Sequence, residues 1–411
     1  MEENINEKPV GTIENWWNKI IKPELQQIIL GPKKVVTEFV KSPKKVFNEG
    51  WLNFDIAYLC VVIALVVYGL IVLSSASDSI LKQALFAFGG IAIMIIISKI
   101  KVSAIKEISP FLMAFATIFL VAVFFRTDYN GTHRWFFFFQ PSELGKVTLI
   151  MSLAYLMDKY KKSKDKVSSF FAFLGITIFY GAMILLESHL SGCLLYLCIG
   201  YAMMWYADMD KRCFLGITAA VIVGFLIVAW KPESIHLLKE YQAERIVIWK
   251  KILFNGELTS NEKLNKARQV LQSLYGIGSG GLFGVGYGNS GQKISNLQEK
   301  ENDFIFAVLG EELGFFGAVL MLAAYGVLVY LGFKIAFKTK TTYGRLVALG
   351  ISTQMALQVL INVAVATSLL PNTGISLPFF SNGGSSMVVN LASMGIMLSI
   401  SKDNRRVKKD A

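Results

Sequence analysis

The sequence predicts an all-α polytopic membrane protein with about ten transmembrane helices and a long extracytoplasmic loop between helices seven and eight. Of its 411 residues, 54% are hydrophobic and only 17% are charged, and the mean hydropathy is +0.51. The apolar residues form runs of about 20, the length that an α-helix needs to cross the hydrocarbon of a bilayer. Lysines and arginines collect in connections that fall on one side. These properties exclude a soluble globular protein.

The apolar runs define the predicted spans. They cover roughly residues 55–75, 80–98, 108–125, 141–157, 169–187, 190–207, 213–230, 303–333, 346–369 and 384–401. The eighth is longer than a bilayer requires, so we expect it to tilt or to extend beyond the membrane.

The basic connections predict the orientation, because cytoplasmic loops carry an excess of lysine and arginine. The basic groups lie at Lys33–Lys45, Lys99–Lys106, Lys159–Lys166, Lys211–Arg212, Lys334–Arg345 and Lys402–Lys409. Both termini are therefore predicted to be cytoplasmic. The regions are a basic N-terminal segment (1–52), a transmembrane domain (53–401) and a basic tail (402–411). The extracytoplasmic loop at 231–302 is also basic, but long loops translocate largely regardless of charge.

The N-terminal segment places apolar residues among its lysines. These are Trp16, Trp17, Ile20, Ile21, Leu25, Ile28 and Ile29. The pattern indicates either an interfacial helix on the anionic inner leaflet or a disordered tail. The segment begins acidic and lacks an early apolar region, so no cleavable signal peptide is predicted.

A glycine-rich stretch contains a literal G-x-G-x-x-G from Gly276 to Gly281. A dinucleotide-binding fingerprint requires a preceding buried strand within a βαβ unit. Here the glycines lie in a predicted extracytoplasmic segment that leads into a transmembrane helix, so a nucleotide site is excluded. Taken alone, the stretch indicates a flexible loop, and bare backbone N–H groups of glycines can also approach phosphates closely.

Four blocks in this order carry a family resemblance. They are Arg134–Lys146 (RW…QPSELGK), Gln272–Gly281 (QSLYGIGSGG), Gly288–Gly314 (GNSGQK…ENDFIFAVLGEELG) and Asn362–Asn390 (N…PNTGISLPFFSNGGSS…N). Across about residues 55 to 401 the chain resembles the SEDS (shape, elongation, division and sporulation) family, to which FtsW, RodA and SpoVE belong. It looks like a divergent member.

The resemblance implies a peptidoglycan glycosyltransferase of the bacterial cytoplasmic membrane. Its expected substrate is lipid II, an undecaprenyl-pyrophosphate disaccharide-pentapeptide, polymerised on the outer face. The implied partner is a class B penicillin-binding protein that cross-links the strands; no nucleic acid partner is predicted. The sequence requires no cofactor, although a divalent cation, Mg2+ or Mn2+, is compatible with the pyrophosphate. Two alternatives are a lipid II translocase and a SEDS-like scaffold without turnover.

The predicted catalytic base is Glu262. The SEDS family that this chain resembles has an aspartate seven residues before a glutamine. That glutamine is Gln269 here, and this chain has a glutamate at the position of the aspartate. Glutamate keeps the carboxylate but moves it by roughly 1 Å. The alternative is a solvated loop carboxylate. The chain also reads Gln298–Asp303 (QEKEND) where the family has P-E-x-H-T-D.

The remaining candidate site residues are those that match polar positions of the family blocks. The substrate-binding candidates are Arg134, Gln140, Glu143, Lys146, Gln269, Gln272, Ser273, Lys293, Glu299, Asp303, Ser381, Ser385 and Ser386. Glu143 and Lys146 are three apart, so they either shape the donor site or form a salt bridge that positions a helix. Asp303 is either catalytic or a helix cap. The serines of 381–386 form either an anion site or a cap.

Four polar residues lie in apolar spans and are predicted to be structural: Glu311, Glu312, Asn362 and Asn390. Glu311 and Glu312 lie about 12 Å along their helix, where a charge is costly. Adjacent side chains diverge by about 100°. One glutamate should therefore anchor an interhelical contact while the other reaches a cavity, and Gly310 and Gly314 should let a neighbouring helix approach.

The charged groups of these segments should converge on one pit that opens to the outer half of the bilayer. The turn at Glu187–Gly192 lies on the same face, where His189 is either a polar loop residue or a substrate contact. A translocase should carry polar residues through the inner halves of several helices. Here they crowd toward the outer side, which favours the polymerase or the scaffold.

Overall fold

The computed structural model describes a helical protein. It covers residues 22–41, 46, 54–77, 79–125, 136, 139–161, 167–187, 189–218, 240–254, 258, 267–294, 297, 299–372 and 374–409. Within these residues, the named helices are α1 (Lys22–Lys41), α2 (Ile56–Ala76), α3 (Ile80–Lys99), α4 (Val102–Val123), α5 (Pro141–Lys159), α6 (Val167–Leu186), α7 (Leu190–Tyr206), α8 (Glu240–Leu253), α9 (Arg268–Ser279), α10 (Gly291–Ile294), α11 (Ile305–Lys338), α12 (Thr342–Ala366) and α13 (Gly384–Lys409).

Most predicted spans have a helix at their position, which confirms the all-α class. Seven described helices, α2, α3, α4, α6, α11, α12 and α13, are long and apolar enough to cross a membrane. Helix α7 is apolar but has only 17 residues, and α5 carries charges at both ends. The predicted span at 213–230 is helical through residue 218, and its remainder lies outside the described residues. The ten-span count therefore stays a prediction.

Helices α4 and α13 are among those that extend past their predicted apolar boundaries, because charged residues continue them. Helix α4 begins at Val102, and its Lys106 Nζ lies 2.5 Å from Asp158 Oδ2 at the end of α5. Helix α13 runs on to Lys409, through most of the predicted tail. Hydropathy detects the membrane-crossing part of a helix but does not detect helical residues beyond it that are charged.

Two helices form the centre of the bundle. Of their apolar windows, 78% of α12 and 72% of α13 is buried, against 22% for α3 and for α11. Helix α5, which packs between α4, α7 and α12, is buried along nearly its whole length. The outer helices keep apolar faces for lipid, as expected where the surrounding solvent is hydrocarbon. The central helices carry the buried polar side chains described below.

Helix α11 is broken at Gly314, whose φ of 65° and ψ of −163° are not helical. Backbone groups of the glycine-rich stretch form hydrogen bonds with the backbone on both sides of this break. Gly281 O accepts the N–H of Phe315 at 2.9 Å, Leu282 O accepts that of Phe316 at 3.1 Å, and Val285 N donates to Glu311 O at 3.0 Å. Backbone freed inside a membrane helix must find partners within the protein. The carbonyls and N–H groups of the glycine-rich stretch are these partners; whether the span tilts or extends beyond the membrane stays a prediction.

We expect Gly314→Ala to destabilise the protein markedly. An added Cβ would lie 2.3 Å from Gly284 N, and the positive φ adds strain of about 1–3 kcal/mol. Gly326→Ala, further along the same helix, is the matched control because its Cβ would meet nothing within 4 Å. Thermal unfolding of the detergent-solubilised protein should show a lower midpoint for Gly314→Ala alone. Equal midpoints for the two variants would contradict the assigned role of the break.

Candidate functional site

A cavity of about 530 Å³ opens where the first turns of α5, α7 and α13 meet the α12–α13 connection. Pro141 at the first position of α5 fixes where that helix starts. Of the residues predicted to bind substrate, the cavity is lined by Gln140, Glu143, Lys146, Gln269, Glu299, Asp303, Ser385 and Ser386. The structure therefore brings three of the four sequence blocks, together with Gln269 just before the remaining block, to one site.

A buried ion pair forms the deepest charged feature of this cavity. Lys146 Nζ lies 2.9 Å from Glu143 Oε1 and donates to Gln358 Oε1 at 3.2 Å. Ser386 donates to the other oxygen of Glu143 at 3.1 Å. Glu143 is 5% exposed and Lys146 is 4% exposed. Desolvation makes such a pair costly unless its hydrogen bonds are satisfied, and here both carboxylate oxygens are.

The ammonium of Lys146 has three N–H donors. Among the described residues it uses two, on Glu143 and Gln358. Ser142, the neighbour of Glu143, also lines the cavity, and its buried hydroxyl has no partner among the described side chains and backbone groups. The cavity therefore offers donors that a bound anion can take up.

The α12–α13 connection is held against the start of α11. Asn362 of α12 donates to Asp303 O at 3.0 Å and to Ile375 O at 2.7 Å. Gly374 has a φ of 67°, and a Cβ there would lie 2.9 Å from Asp303 Oδ2. Asn390 in turn donates to Ser386 at 3.2 Å. Asn362 and Asn390 thus bind neighbouring groups of the cavity walls through their amides.

A second carboxylate ties this wall to α2. Glu301 Oε2 accepts the hydroxyl of Ser77 at 2.6 Å and the amide of Asn382 at 2.8 Å. Gln83 of α3 donates to Ser381 O at 3.2 Å and accepts from Gly383 N at 3.2 Å. The 381–386 segment is therefore pinned from two directions, which leaves Ser385 and Ser386 facing the cavity.

The rim includes a cation from the segment between α7 and α11. Arg245 of α8 lines the cavity and donates to Asn372 O at 3.1 Å. Asn372 donates to Gln269 Oε1 at 2.9 Å. His189, at the turn into α7, is 8% exposed, and its Nε2 lies 3.1 Å from Gly374 O. His189 thus lines the cavity, and its two interpretations, a polar loop residue or a substrate contact, stay open.

Several predicted substrate contacts lie outside the cavity lining. Ser273 is 0% exposed and donates to Ala366 O at 2.7 Å. Ser381 donates to Asn302 O at 2.6 Å and accepts from Leu377 N at 2.7 Å. Gln272, on α9, does not line the cavity either. These two serines bind backbone groups and so stabilise the fold. The sequence did not reveal this, because spacing alone does not tell which way a side chain points.

The paired glutamates of α11 have the split roles expected of diverging side chains, with one correction. Glu312 accepts the hydroxyl of Ser75 on α2, which is the predicted interhelical contact. Glu311 does not reach the cavity. It accepts the hydroxyl of Ser290 and the N–H of Gly291 at 3.0 Å, and so anchors the connection at the start of α10. Close approach at Gly310 is made by Ile277 of α9.

Three predicted residues cannot be placed in the site. Glu262 and Arg134 lie outside the described residues, and so does the side chain of Lys293 on α10. The catalytic role of Glu262 therefore stays a prediction. The N-cap position of α11 is Phe304, which makes no side-chain cap hydrogen bond, and Asp303 lies one residue before it; its role as a catalytic residue or a cap stays a prediction.

Sequence reasoning missed Gln358, Arg245, Ser142 and Asn302 as lining residues. Gln358 carried a usable signal, since a polar residue inside an apolar span is a functional candidate. Arg245 carried a weaker one, a cation in the basic outer segment. In the part of the chain that the structure describes, no group of three or more histidine, cysteine, aspartate and glutamate side chains could hold a metal ion.

This arrangement can hold an anionic group beside Lys146 and Arg245, and hydroxyl or amide donors of the same ligand beside the carboxylates. The cavity combines two cations, three carboxylates and the serine pair on a rigid frame of helices. Fixed donors in a water-poor pocket stabilise developing negative charge without reorganisation.

Comparison with known proteins gives a consistent result. The family model FTSW_RODA_SPOVE, described as "Cell cycle protein", matches residues 50–406. "Stage V sporulation protein E" of Bacillus subtilis is 34% identical over 374 residues, which cover 85% of this chain and 98% of that protein. "Probable peptidoglycan glycosyltransferase FtsW" of Geobacter sp. (strain M18) is 31% identical over 374 residues, covering 85% and 97%.

Among solved structures, a chain from a study titled "Structural coordination of polymerization and crosslinking by a peptidoglycan synthase complex" has the same fold. The TM-score is 0.73 at 24% identity, over 86% of this chain and 99% of that chain. At this identity the likeness concerns the fold alone.

Proposed function

Because the chain belongs to the FtsW/RodA/SpoVE family, we propose that it is a peptidoglycan glycosyltransferase that polymerises lipid II on the outer face of the cytoplasmic membrane. The observation that carries the proposal is the buried pair of Glu143 and Lys146 at the base of a polar cavity. Its family and its several membrane-spanning helices make this chain a membrane protein. We propose that both of its termini are cytoplasmic.

In the proposed reaction, a sugar hydroxyl of one lipid II attacks the anomeric carbon of another. A carbon–oxygen bond forms there, the bond to the pyrophosphate breaks, and the hydroxyl proton passes to a base. Lys146 and Arg245 would balance the charge of the departing pyrophosphate, and the hydroxyls of Ser385 and Ser386 would donate to its oxygens. Glu262 is the proposed base.

Glu143 is not the proposed base, because Lys146 and Ser386 already occupy its two oxygens. Its role would be to hold Lys146 in place. The proposal contains no metal-dependent step. A divalent cation, Mg2+ or Mn2+, would enter with the pyrophosphate.

The inner part of α5 favours polymerisation over translocation. Beyond Lys146, the helix presents Leu149, Ile150 and Leu153, each 0% exposed. The two buried hydroxyls among them, of Thr148 and Ser152, donate to backbone carbonyls, so this part of the helix carries no charged group. A translocase would need a polar path there for the disaccharide and its pyrophosphate.

Polymerisation of fluorescent lipid II tests the proposed activity. The purified chain, reconstituted with its cognate class B penicillin-binding protein, the proposed partner, should yield glycan polymers, and the partner alone should yield none. An inactive wild-type chain beside the correct partner would favour the scaffold. Accumulation of translocated lipid II in liposomes without polymer would favour the translocase.

A further inference from the structure

Helix α1 precedes residue 50, where the family match begins, yet it is docked on the bundle. Gln27 donates to Glu107 Oε2 at 2.7 Å, and Lys34 Nζ lies 3.2 Å from Glu107 Oε1. A Cβ on Gly31 would lie 2.5 Å from Glu107 O. One face of α1 is therefore fixed against the start of α4.

Helix α1 lies at the end of the bundle opposite the cavity. Glu107, its anchor, is next to Lys106, which pairs with Asp158 at the last turn of α5. Glu143, in the cavity, is at the first turn of the same helix. The two positions are separated by about 22 Å along α5. Helix α1 is thus at the level of the other leaflet.

The face of α1 turned away from α4 is amphipathic. Ile29, Val36 and Val40, spaced at seven and four residues, follow one stripe and are 60%, 60% and 73% exposed. Exposed Lys33 and Thr37 occupy the adjoining flank. An apolar stripe beside lysines is the pattern of a helix that lies in the headgroup region with its apolar side in the acyl chains.

An apolar groove of about 540 Å³ runs beneath α1 between α4 and α5. Its lining includes Ile28 of α1, Pro110, Met113 and Ala114 of α4, and Leu156 of α5. The groove starts beside Ile28 of α1 and continues along α4 past its midpoint to Val121, whereas its α5 lining, Ser152 to Leu156, is in the half of α5 nearest α1. The end of the groove at α1 is therefore at the level of the leaflet that the stripe of α1 faces.

We propose that α1 and this groove form a binding site for an anionic phospholipid of the leaflet opposite the cavity. The groove takes an acyl chain, the stripe of Ile29, Val36 and Val40 inserts beside it, and Lys33 and Lys41 meet the headgroup phosphate. The charge complementarity comes from α1 itself, which carries four lysines and two glutamates. Each lysine near an anionic surface gives about a fivefold gain in partitioning.

Spin labelling tests the insertion of α1. A nitroxide is attached to the full chain at position 40 or, as the matched control, at position 37, after replacement of the native cysteines. In phosphatidylglycerol vesicles, the ratio of oxygen to nickel-complex accessibility should be high at position 40 and low at position 37. Lys33→Gln with Lys41→Gln should lower the partition constant of α1 into the bilayer roughly 25-fold.

Three outcomes would overturn the proposal. Aqueous accessibility at both positions would mean that the stripe is not in lipid. Dipolar broadening between labels would mean that a second copy of the chain covers it. Equal insertion in phosphatidylcholine and phosphatidylglycerol vesicles would mean that α1 does not recognise anionic headgroups.

Native mass spectrometry tests the groove. The wild-type chain, extracted from vesicles of mixed phosphatidylglycerol and phosphatidylcholine, should retain phosphatidylglycerol preferentially. Ala114→Phe should reduce that retention severalfold by filling the groove, whereas Ala323→Phe, on the exposed face of α11, should not. Unchanged retention by an Ala114→Phe variant of normal thermal stability would contradict the proposal.

Discussion

Replacing Lys146 by methionine should abolish glycan polymerisation and lower the stability of the protein. The substitution leaves the carboxylate of Glu143 buried without its cation, which costs about 3–5 kcal/mol. It also removes a fixed positive charge from the proposed pyrophosphate site, a loss of about 100- to 1,000-fold in turnover. Lipid II polymerisation and thermal unfolding, measured on the same preparation, check both expectations.

Two further variants separate folding from chemistry. Glu143→Gln combined with Lys146→Met removes both charges, so it should recover most of the lost stability and none of the activity. Lys159→Met, at the exposed end of the same helix, should change neither. Activity restored in the double variant would show that the pair only supports the helix, and the proposed contact with pyrophosphate would be wrong.

Glu262→Gln should lower polymerisation by about 100- to 10,000-fold, the contribution of a general base, without affecting folding. The change keeps the size of the side chain and removes its ability to accept a proton. Glu262→Asp introduces the aspartate that the family resemblance implies at this position. This variant should keep activity within about a hundredfold of wild type. Initial rates with fluorescent lipid II are the measurement.

Glu257→Gln is the matched control, since it removes another carboxylate of the same loop five positions away. It should leave the rate unchanged. A fully active Glu262→Gln protein would exclude this residue as the base and would point to a carboxylate of the described cavity, Glu299 or Asp303.

Span positions could be predicted from the sequence because an apolar run of bilayer length has few other uses. The break at Gly314 could not, because it depends on the carbonyls of Gly281 and Leu282 arriving from another segment. Helix propensity acts within a segment, whereas this break is stabilised between segments. The structural role of the G-x-G-x-x-G run could therefore be assigned only from its contacts with α11.

The charged half of the site was more predictable than its polar half. Glu143 and Lys146 stand out because charge in a membrane helix is costly and must be paired. Serines carry no such signal, so Ser273 and Ser386 looked alike in the sequence. One donates to Ala366 O in the core, and the other donates to Glu143 at the cavity. Only the packing of α9 against α12, and of α13 against α5, distinguishes them.

Photo-crosslinking of lipid II tests most directly whether this cavity is the polymerisation site. A photoreactive amino acid replaces Asn302, which lines the cavity, or Leu320, which is 63% exposed on the apolar surface of α11. We expect lipid II to crosslink at position 302, to be displaced there by unlabelled lipid II, and to give only background labelling at position 320. Equal labelling at both positions, or none at position 302 in a folded protein, would contradict the assignment of the cavity.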